Sequence, residues 1–207
     1  GHCLGTGIVD AARARRLAAR LMAPDLFSGW GIRTLSARHP AYDPFSYHRG
    51  SVWPVENALI ARGLARFGLR PHLHRLARAQ LEAAALFRGR RLPELFGGHG
   101  RDEAHPFPGL YPPANAPQAW SASAVVSLVQ SLLGLAPVAS RRILFVDPAL
   151  PDWLPELRLR DLRVGRATVS LRFWRRAGHD RTQVEVERLD GALTIARPRG
   201  RDRGTTS

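Results

Sequence analysis

The 207-residue sequence has a single cysteine and no lysine. With only Cys3, an internal disulfide is excluded, which fits a reducing compartment, and we expect a cytoplasmic protein. No apolar run approaches the roughly 18 residues of a membrane-spanning helix, and no signal peptide is recognisable. The spacing of His and Cys residues matches no firm metal-ligand pattern. We therefore expect no metal, no other cofactor and no membrane partner.

Positive charge, in contrast, is abundant, because 31 basic residues stand against 17 acidic ones and give a net charge of +14. A charge of this size is typical of proteins that bind nucleic acid or anionic surfaces. Here every basic residue is an arginine, and the arginines are scattered along the chain rather than gathered in one patch. With abundant Ala, Gly and Pro, this composition is typical of a GC-rich coding bias. We expect no nucleic-acid partner, although a basic nucleic-acid-binding module stays an alternative.

The first two thirds of the chain predict helices, from apolar residues at helical spacing and from Pro and Gly at the ends. The predicted helices cover about 11–22, 55–67, 71–87 and 118–133. Two long loops, rich in aromatic residues, His, Gly and Pro, precede the second and fourth helices. Loops of roughly 30 residues within a compact domain are usually functional. Alternating short and long connections suit helical hairpins in a ring, with an ordinary helical bundle as the alternative.

After Pro137 the pattern changes to short runs with β-strand character. These runs cover about 141–146, 157–162, 167–173, 182–187 and 192–196. Asp190-Gly191 between two of them predicts a hairpin turn. We therefore predict a helical domain over 1–137, a small antiparallel β module over 138–197 and a disordered tail over 198–207.

Glu94 stands out among the acidic residues, because it is predicted to lie on a loop between apolar helices. Its surroundings are Arg91-Leu92-Pro93-Glu94-Leu95-Phe96-Gly97-Gly98. Inverting glycoside hydrolysis needs two carboxylates about 6.5–9.5 Å apart, one of them ionised to activate water. We expect hydrogen bonds, or positive charge from Arg33 or Arg91, to keep Glu94 ionised. The alternative is a solvated loop glutamate.

Other side chains of the same loops are candidates for binding a neutral sugar, which a concave site holds by aromatic stacking and a few polar contacts. Indole faces and hydrogen-bonding groups of this kind come from Trp30, Arg33, Tyr47, His48, Trp53 and Gln118. For the tryptophans the alternative is packing in the protein core, and for Trp120 packing is the favoured interpretation. A structural hydrogen bond is the alternative for His48.

Four loop segments together resemble the C-terminal part of bacterial amylo-α-1,6-glucosidase (glycogen-debranching) proteins. That group lies within the six-hairpin glycosidases, which include mannosylglycerate hydrolase-like enzymes. The segments are Phe27-Ser28-Gly29-Trp30-Gly31-Ile32-Arg33-Thr34-Leu35-Ser36, Tyr47-His48-Arg49-Gly50-Ser51-Val52-Trp53-Pro54, Leu92-Pro93-Glu94-Leu95-Phe96-Gly97 and Pro117-Gln118-Ala119-Trp120-Ser121-Ala122.

The resemblance implies an all-α fold, the last third of an (α/α)6 toroid, followed by the β module. It also implies an α-glucan substrate, with Glu94 as general base. The family's catalytic acid, an Asp in a Trp-Lys-Asp-type motif, would lie upstream in the same toroid, and this sequence has no such motif. We expect the fragment alone to be inactive. A carbohydrate-binding fragment without turnover is the alternative.

Overall fold

The computed structural model describes residues 1–175 and 181–198. The chain divides into two compact units, Gly1–Val129 and a second unit that begins at Gln130. From Arg199 onward, the tail predicted by the sequence lies outside the described residues. Within the described ranges, no helix is long and apolar enough to cross a membrane.

Helices and long loops make up the first unit. Its helices are α1 (Cys3–Thr6), α2 (Ala11–Leu21), α3 (Pro54–Arg66), α4 (Arg70–Leu86) and the start of α5 (Ala119–Leu133). The four helices predicted from the sequence all occur, and their ends differ from the prediction by at most one residue. Asp10 begins α2 as its N-cap, because its carboxylate accepts the backbone N–H of Arg13 at 2.7 Å.

A short turn connects α3 to α4, and the two helices pack against each other. Gly68 lies in this turn with a positive φ of 65°, a conformation that glycine adopts without strain. The facing sides of the helices are apolar, with Leu64 and Leu76 fully buried. Burial of each such leucine stabilises the unit by about 1.5–3 kcal/mol.

The long loops have a core of their own, packed on α4. It consists of Trp30, Val52, Ala83, Ala84, Leu92 and Phe96, with Phe87 and Val125 against it. Val52 forms antiparallel bridges to both Arg33 and Phe96, so three loop segments lie side by side. The fully buried Asn57 of α3 fixes the first segment, since its side chain accepts the Ile32 N–H at 2.7 Å and donates to the Ile32 carbonyl at 3.1 Å.

Strands make up most of the described part of the second unit. They are β1 (Ala136–Val138), β2 (Ile143–Phe145), β3 (Glu156–Val164), β4 (Ala167–Arg175), β5 (Thr182–Asp190) and β6 (Thr194–Ala196). One sheet has the order β3-β4-β5 and is antiparallel, and Leu171 and Phe173 of its central strand are fully buried. The other sheet has the order β1-β2-β6, with β1 antiparallel and β6 parallel to β2.

Two expectations from the sequence are wrong here. The class is mixed α and β, with 34% helix and 22% strand, rather than all-α, because the strands occupy most of the second unit. The hairpin predicted at Asp190-Gly191 does not form. The strand after Gly191, β6, instead pairs in parallel with β2, so the module is not purely antiparallel. An Asp-Gly turn signal reports the local backbone, whereas the pairing partner is chosen by distant residues.

The loops of the first unit approach so closely at Gly98 that we expect this position to tolerate only glycine. A Cβ added to Gly98 would overlap the carbonyl oxygen of Gly50, whereas one at Gly100 would find its nearest neighbour at 3.8 Å. We predict that Gly98→Ala lowers the free energy of unfolding by about 1–3 kcal/mol, and that Gly100→Ala changes it little. Urea unfolding of both variants measures this. Equal stabilities would show that the loops relax freely.

Candidate functional site

Glu94 lies on the loop after α4 and is only 6% exposed. The Tyr47 hydroxyl donates to its Oε1 at 2.7 Å. Its Oε2 accepts the Asn115 side-chain amide at 3.0 Å and, more weakly, the Asn115 backbone N–H at 3.4 Å. In return, the Glu94 backbone N–H donates to the Asn115 carbonyl at 2.9 Å. Both carboxylate oxygens are thus held by neutral donors from two other loop segments.

These donors keep Glu94 ionised. The Tyr47 hydrogen bond is the largest influence and lowers the pKa of Glu94, burial acts in the opposite direction, and the bonds from Asn115 add to the lowering. The net result is a pKa below the usual range for glutamate, so the group is a carboxylate at neutral pH, as a general base must be. The same contact raises the pKa of Tyr47, which therefore remains a hydrogen-bond donor.

The expected positive charge beside Glu94 is absent among the groups that lower its pKa. Arg33 is buried, and its guanidinium donates to the backbone carbonyls of Gly98 at 2.5 Å and Pro24 at 3.0 Å. Arg91 is exposed. Of the two expected ways to keep Glu94 ionised, the structure therefore shows hydrogen bonds from hydroxyl and amide donors rather than a neighbouring arginine.

Glu94 differs from the other buried acid, Asp25, in the groups that hold its carboxylate. Within the described residues, Asp25 and Glu94 are the buried acidic side chains. Asp25 forms a bidentate ion pair with Arg20, at 2.9 and 2.7 Å, and also accepts the Ser36 hydroxyl. Its charge is neutralised within the fold, whereas that of Glu94 is only solvated by neutral dipoles. A carboxylate held in this second way is a candidate for chemistry.

An aromatic surface adjoins Glu94 through Tyr47 and consists of Tyr47, His48, Trp53, Tyr111 and Trp120. The Tyr47 ring meets the rings of His48 and Trp53 edge-on, with centroids 4.6 and 4.7 Å apart, and lies 6.2 Å from Tyr111. Trp120 meets Trp53 edge-on at 6.0 Å. Tyr47 and Trp120 are 38% and 43% exposed, so rings at this surface are open to a ligand.

Trp53 is the buried member of this aromatic surface and supports the exposed rings. It is 5% exposed, and its Nε1–H donates to the Tyr47 carbonyl at 3.1 Å and to the Ser51 hydroxyl at 3.0 Å. The His48 ring stacks on it, with centroids 5.6 Å apart and planes 8° from parallel. Trp53 therefore fixes the loop that carries Tyr47. Because its own indole is buried, the exposed rings next to it are better placed to contact a sugar.

The remaining predicted binding residues have other contacts. Trp30 is 1% exposed in the loop core, with the guanidinium of Arg101 4.1 Å over its ring, so its indole could reach a sugar only if the core opened. Arg33 holds backbone carbonyls, as described above. Gln118 accepts the N–H of Ala119 at 2.9 Å, where α5 begins. The structure thus brings Tyr47, His48 and Trp53 together with Glu94, and gives the other three separate partners.

Two residues of the site were not singled out from the sequence. They are Asn115, which donates to Glu94, and Tyr111, whose ring lies near that of Tyr47. Both lie in the stretch Tyr111-Pro112-Pro113-Ala114-Asn115, which has the composition of an ordinary loop. Nothing in the spacing connects Asn115 to a residue 21 positions earlier. In the described part of the chain, no group of three or more His, Cys, Asp or Glu side chains could hold a metal ion.

Residues 2–94 match the family model described as the mannosylglycerate hydrolase MGH1-like glycoside hydrolase domain. The match covers less than half of the chain and ends at Glu94. It supports a glycoside hydrolase family within the six-hairpin superfamily, and with it a glycosidase-type function. A comparison with curated proteins gives no match.

The Tyr47 hydroxyl can be tested as the main group that keeps Glu94 ionised. We predict that Tyr47→Phe raises the pKa of Glu94, because the largest stabilising contact of the carboxylate is lost while its burial remains. The measurement is an NMR pH titration of ¹³C-labelled glutamate carboxyls, with the Glu94 signal assigned from Glu94→Gln. Tyr111→Phe is the matched control and should leave this pKa unchanged. An unchanged pKa in Tyr47→Phe would contradict the prediction.

Stability should change in parallel. A folded-state pKa below the unfolded value means that ionised Glu94 stabilises the fold above the unfolded pKa, and that this contribution is lost as the pH falls through the folded pKa. In Tyr47→Phe this contribution shrinks, so the variant should lose less stability than the wild type on acidification.

Proposed function

We propose that this chain is part of a glycoside hydrolase of the amylo-α-1,6-glucosidase type, which cleaves α-glucosidic linkages of an oligosaccharide or polysaccharide in the cytoplasm. The observation that carries the proposal is a buried carboxylate, Glu94, held by neutral donors beside an exposed aromatic surface. The family match supports the hydrolase class. The resemblance of the four loop segments to debranching-type proteins supports the finer assignment.

Glu94 acts as the general base. Each carboxylate oxygen has more than one acceptor position, so an oxygen that accepts from Tyr47 or Asn115 can also accept from a water molecule. The carboxylate takes a proton from that water while the water oxygen attacks the anomeric carbon. The glycosidic oxygen leaves from the opposite face and is protonated by a second carboxyl group.

Neutral donors suit a base better than a cation does. The Arg20 guanidinium holds the pKa of Asp25 far below its usual range, and so acidic a group is a weak proton acceptor at neutral pH. The Tyr47 hydroxyl and the Asn115 amide orient the Glu94 carboxylate and keep it ionised without a neighbouring positive charge. The base therefore keeps more of its affinity for a proton.

The aromatic surface binds the sugar. The apolar face of a hexose ring packs on an aromatic ring, and a few polar groups then fix its orientation. Tyr47 and Trp120 offer exposed rings, and the His48 imidazole, also exposed, adds a polar edge. Trp53 acts through these residues, because it holds their loop in place.

The general acid is expected from sequence outside these 207 residues, because the resemblance implies an Asp in a Trp-Lys-Asp-type motif and this sequence has no such motif. Such an acid must be protonated in the resting enzyme, which requires a raised pKa. On this proposal the 207-residue chain alone binds sugar without turnover.

Substitution of the base in an active protein that contains this chain tests the proposal. We predict that Glu94→Gln lowers the rate of hydrolysis by about 10²–10⁴-fold while binding of a maltooligosaccharide stays within a few-fold of wild type. Glu103→Gln, at an exposed loop position, is the matched control and should keep full activity. Near-normal hydrolysis in Glu94→Gln would remove Glu94 from the mechanism.

Calorimetry on the 207-residue chain separates the alternatives. Stacking on a neutral sugar should respond little to salt, whereas binding of nucleic acid weakens steeply as salt rises. Maltooligosaccharide binding that is insensitive to salt supports the sugar site. Absence of such binding, together with salt-sensitive binding of a short oligonucleotide, would favour the basic-module alternative.

A further inference from the structure

A pocket in the first unit shares no lining residue with the site around Glu94. Its volume is about 330 Å³, and its walls come from α4 and from the loops near residues 28 and 101. The lining residues are Phe27, Gly29, Arg75, Arg78, Ala79, Glu82 and Arg101. Three arginines and one glutamate therefore line this open surface pocket.

The guanidinium of Arg101 is held in place by its surroundings. It lies 4.1 Å over the ring of the buried Trp30, and the Arg101 backbone N–H donates to the Ser28 carbonyl at 2.7 Å. Gly29, with a φ of 93°, permits this approach, because a Cβ there would overlap the Arg101 side chain. Contact with an aromatic face orients the guanidinium and leaves N–H groups available for hydrogen bonds.

Arg75 and Arg78 are fixed in related ways. The Arg75 guanidinium lies 4.3 Å over the ring of Phe27, and its Nη1 donates to the Met22 carbonyl at 3.3 Å. The Arg78 Nε donates to Glu82 at 2.7 Å, and Arg101 pairs with the other oxygen of the same carboxylate. A guanidinium has five N–H donors, so all three arginines keep donors beyond these contacts.

We propose that this pocket binds a phosphate group, either free phosphate or the phosphate of a phosphorylated sugar. Three arginines against one glutamate leave a net positive lining, and the planar fork of arginine matches phosphate oxygens with charge-assisted bonds. A phosphate monoester carries roughly −1.5 to −2 charges at neutral pH, which this lining balances. The pocket has room for one such group with one sugar ring, at the small end of the range for ligand sites.

Calorimetric titration of the 207-residue chain at fixed ionic strength tests this proposal. The probes are inorganic phosphate, glucose 6-phosphate and glucose. Saturable binding of both phosphates that is weakened by Arg78→Gln is expected, whereas any binding of glucose should be the same in Arg78→Gln and wild type. Tighter binding of glucose 6-phosphate would identify a sugar phosphate as the ligand, and equal binding would identify free phosphate. Absence of saturable binding of both phosphates would overturn the proposal.

Variants locate the binding. Arg78→Gln should weaken phosphate binding by roughly tenfold, the effect expected when one charge-assisted hydrogen bond is lost. Arg62→Gln, an exposed position on α3, is the matched control and should bind as wild type. Because Arg101 also covers the loop core, Arg101→Lys is preferred to a neutral variant there, and it should weaken binding while the thermal unfolding transition remains. Equal weakening by Arg62→Gln would show that net charge alone attracts the anion.

Discussion

The candidate site depends on the antiparallel pairing of Val52 with Phe96. The two residues exchange backbone hydrogen bonds of 2.9 and 3.0 Å, which join loops that are far apart in sequence. Each bond contributes only about 0.5–1.5 kcal/mol net, so the bonds alone would not hold two long loops together. Both side chains are fully buried in the loop core, and burial contributes about 1.5–3 kcal/mol for each. Apolar packing therefore supplies most of the stability, and the hydrogen bonds set the register.

The register of this pairing determines which side chains meet at Glu94. Tyr47 lies a few residues before Val52, and Glu94 lies just before Phe96, so the pairing brings the hydroxyl and the carboxylate to one place. Asn115 comes from a third segment, where its carbonyl accepts the Glu94 backbone N–H and its own backbone N–H donates to the Glu94 carboxylate. These donors lower the pKa of the Glu94 carboxylate. Because they are neutral, they do not cancel its negative charge. The loop core thus holds a buried carboxylate without a cation among the groups that lower its pKa, and under the proposed function this carboxylate is the general base.

The features that could be predicted from the sequence are those that depend on interactions between residues close together in the chain. Helix ends were predictable because N-caps, Pro at the first turn and apolar periodicity act within a few residues. Glu94 was singled out from its aromatic and glycine-rich surroundings, and its role as a base stays a prediction. Its partner Asn115 was not visible, because the contact joins loops whose approach depends on the tertiary core. For the same reason the pairing of β6 with β2 was missed, and the sequence left Trp30 open between sugar binding and core packing. The all-α class was wrong for another reason, because the class was taken from the helical part although strands were predicted after Pro137.

The arginine-only composition is also understandable from the structure. Arginines lie over the aromatic rings of Phe27, Trp30, Tyr42 and Trp174, a contact that the planar guanidinium makes well. Arg20 forms a bidentate pair with Asp25, and Arg33 donates to two backbone carbonyls. A lysine ammonium would not supply flat stacking or a fixed fork at these positions. Part of the net charge of +14 therefore serves the fold itself, and the charge alone is a weak reason to infer a polyanionic partner.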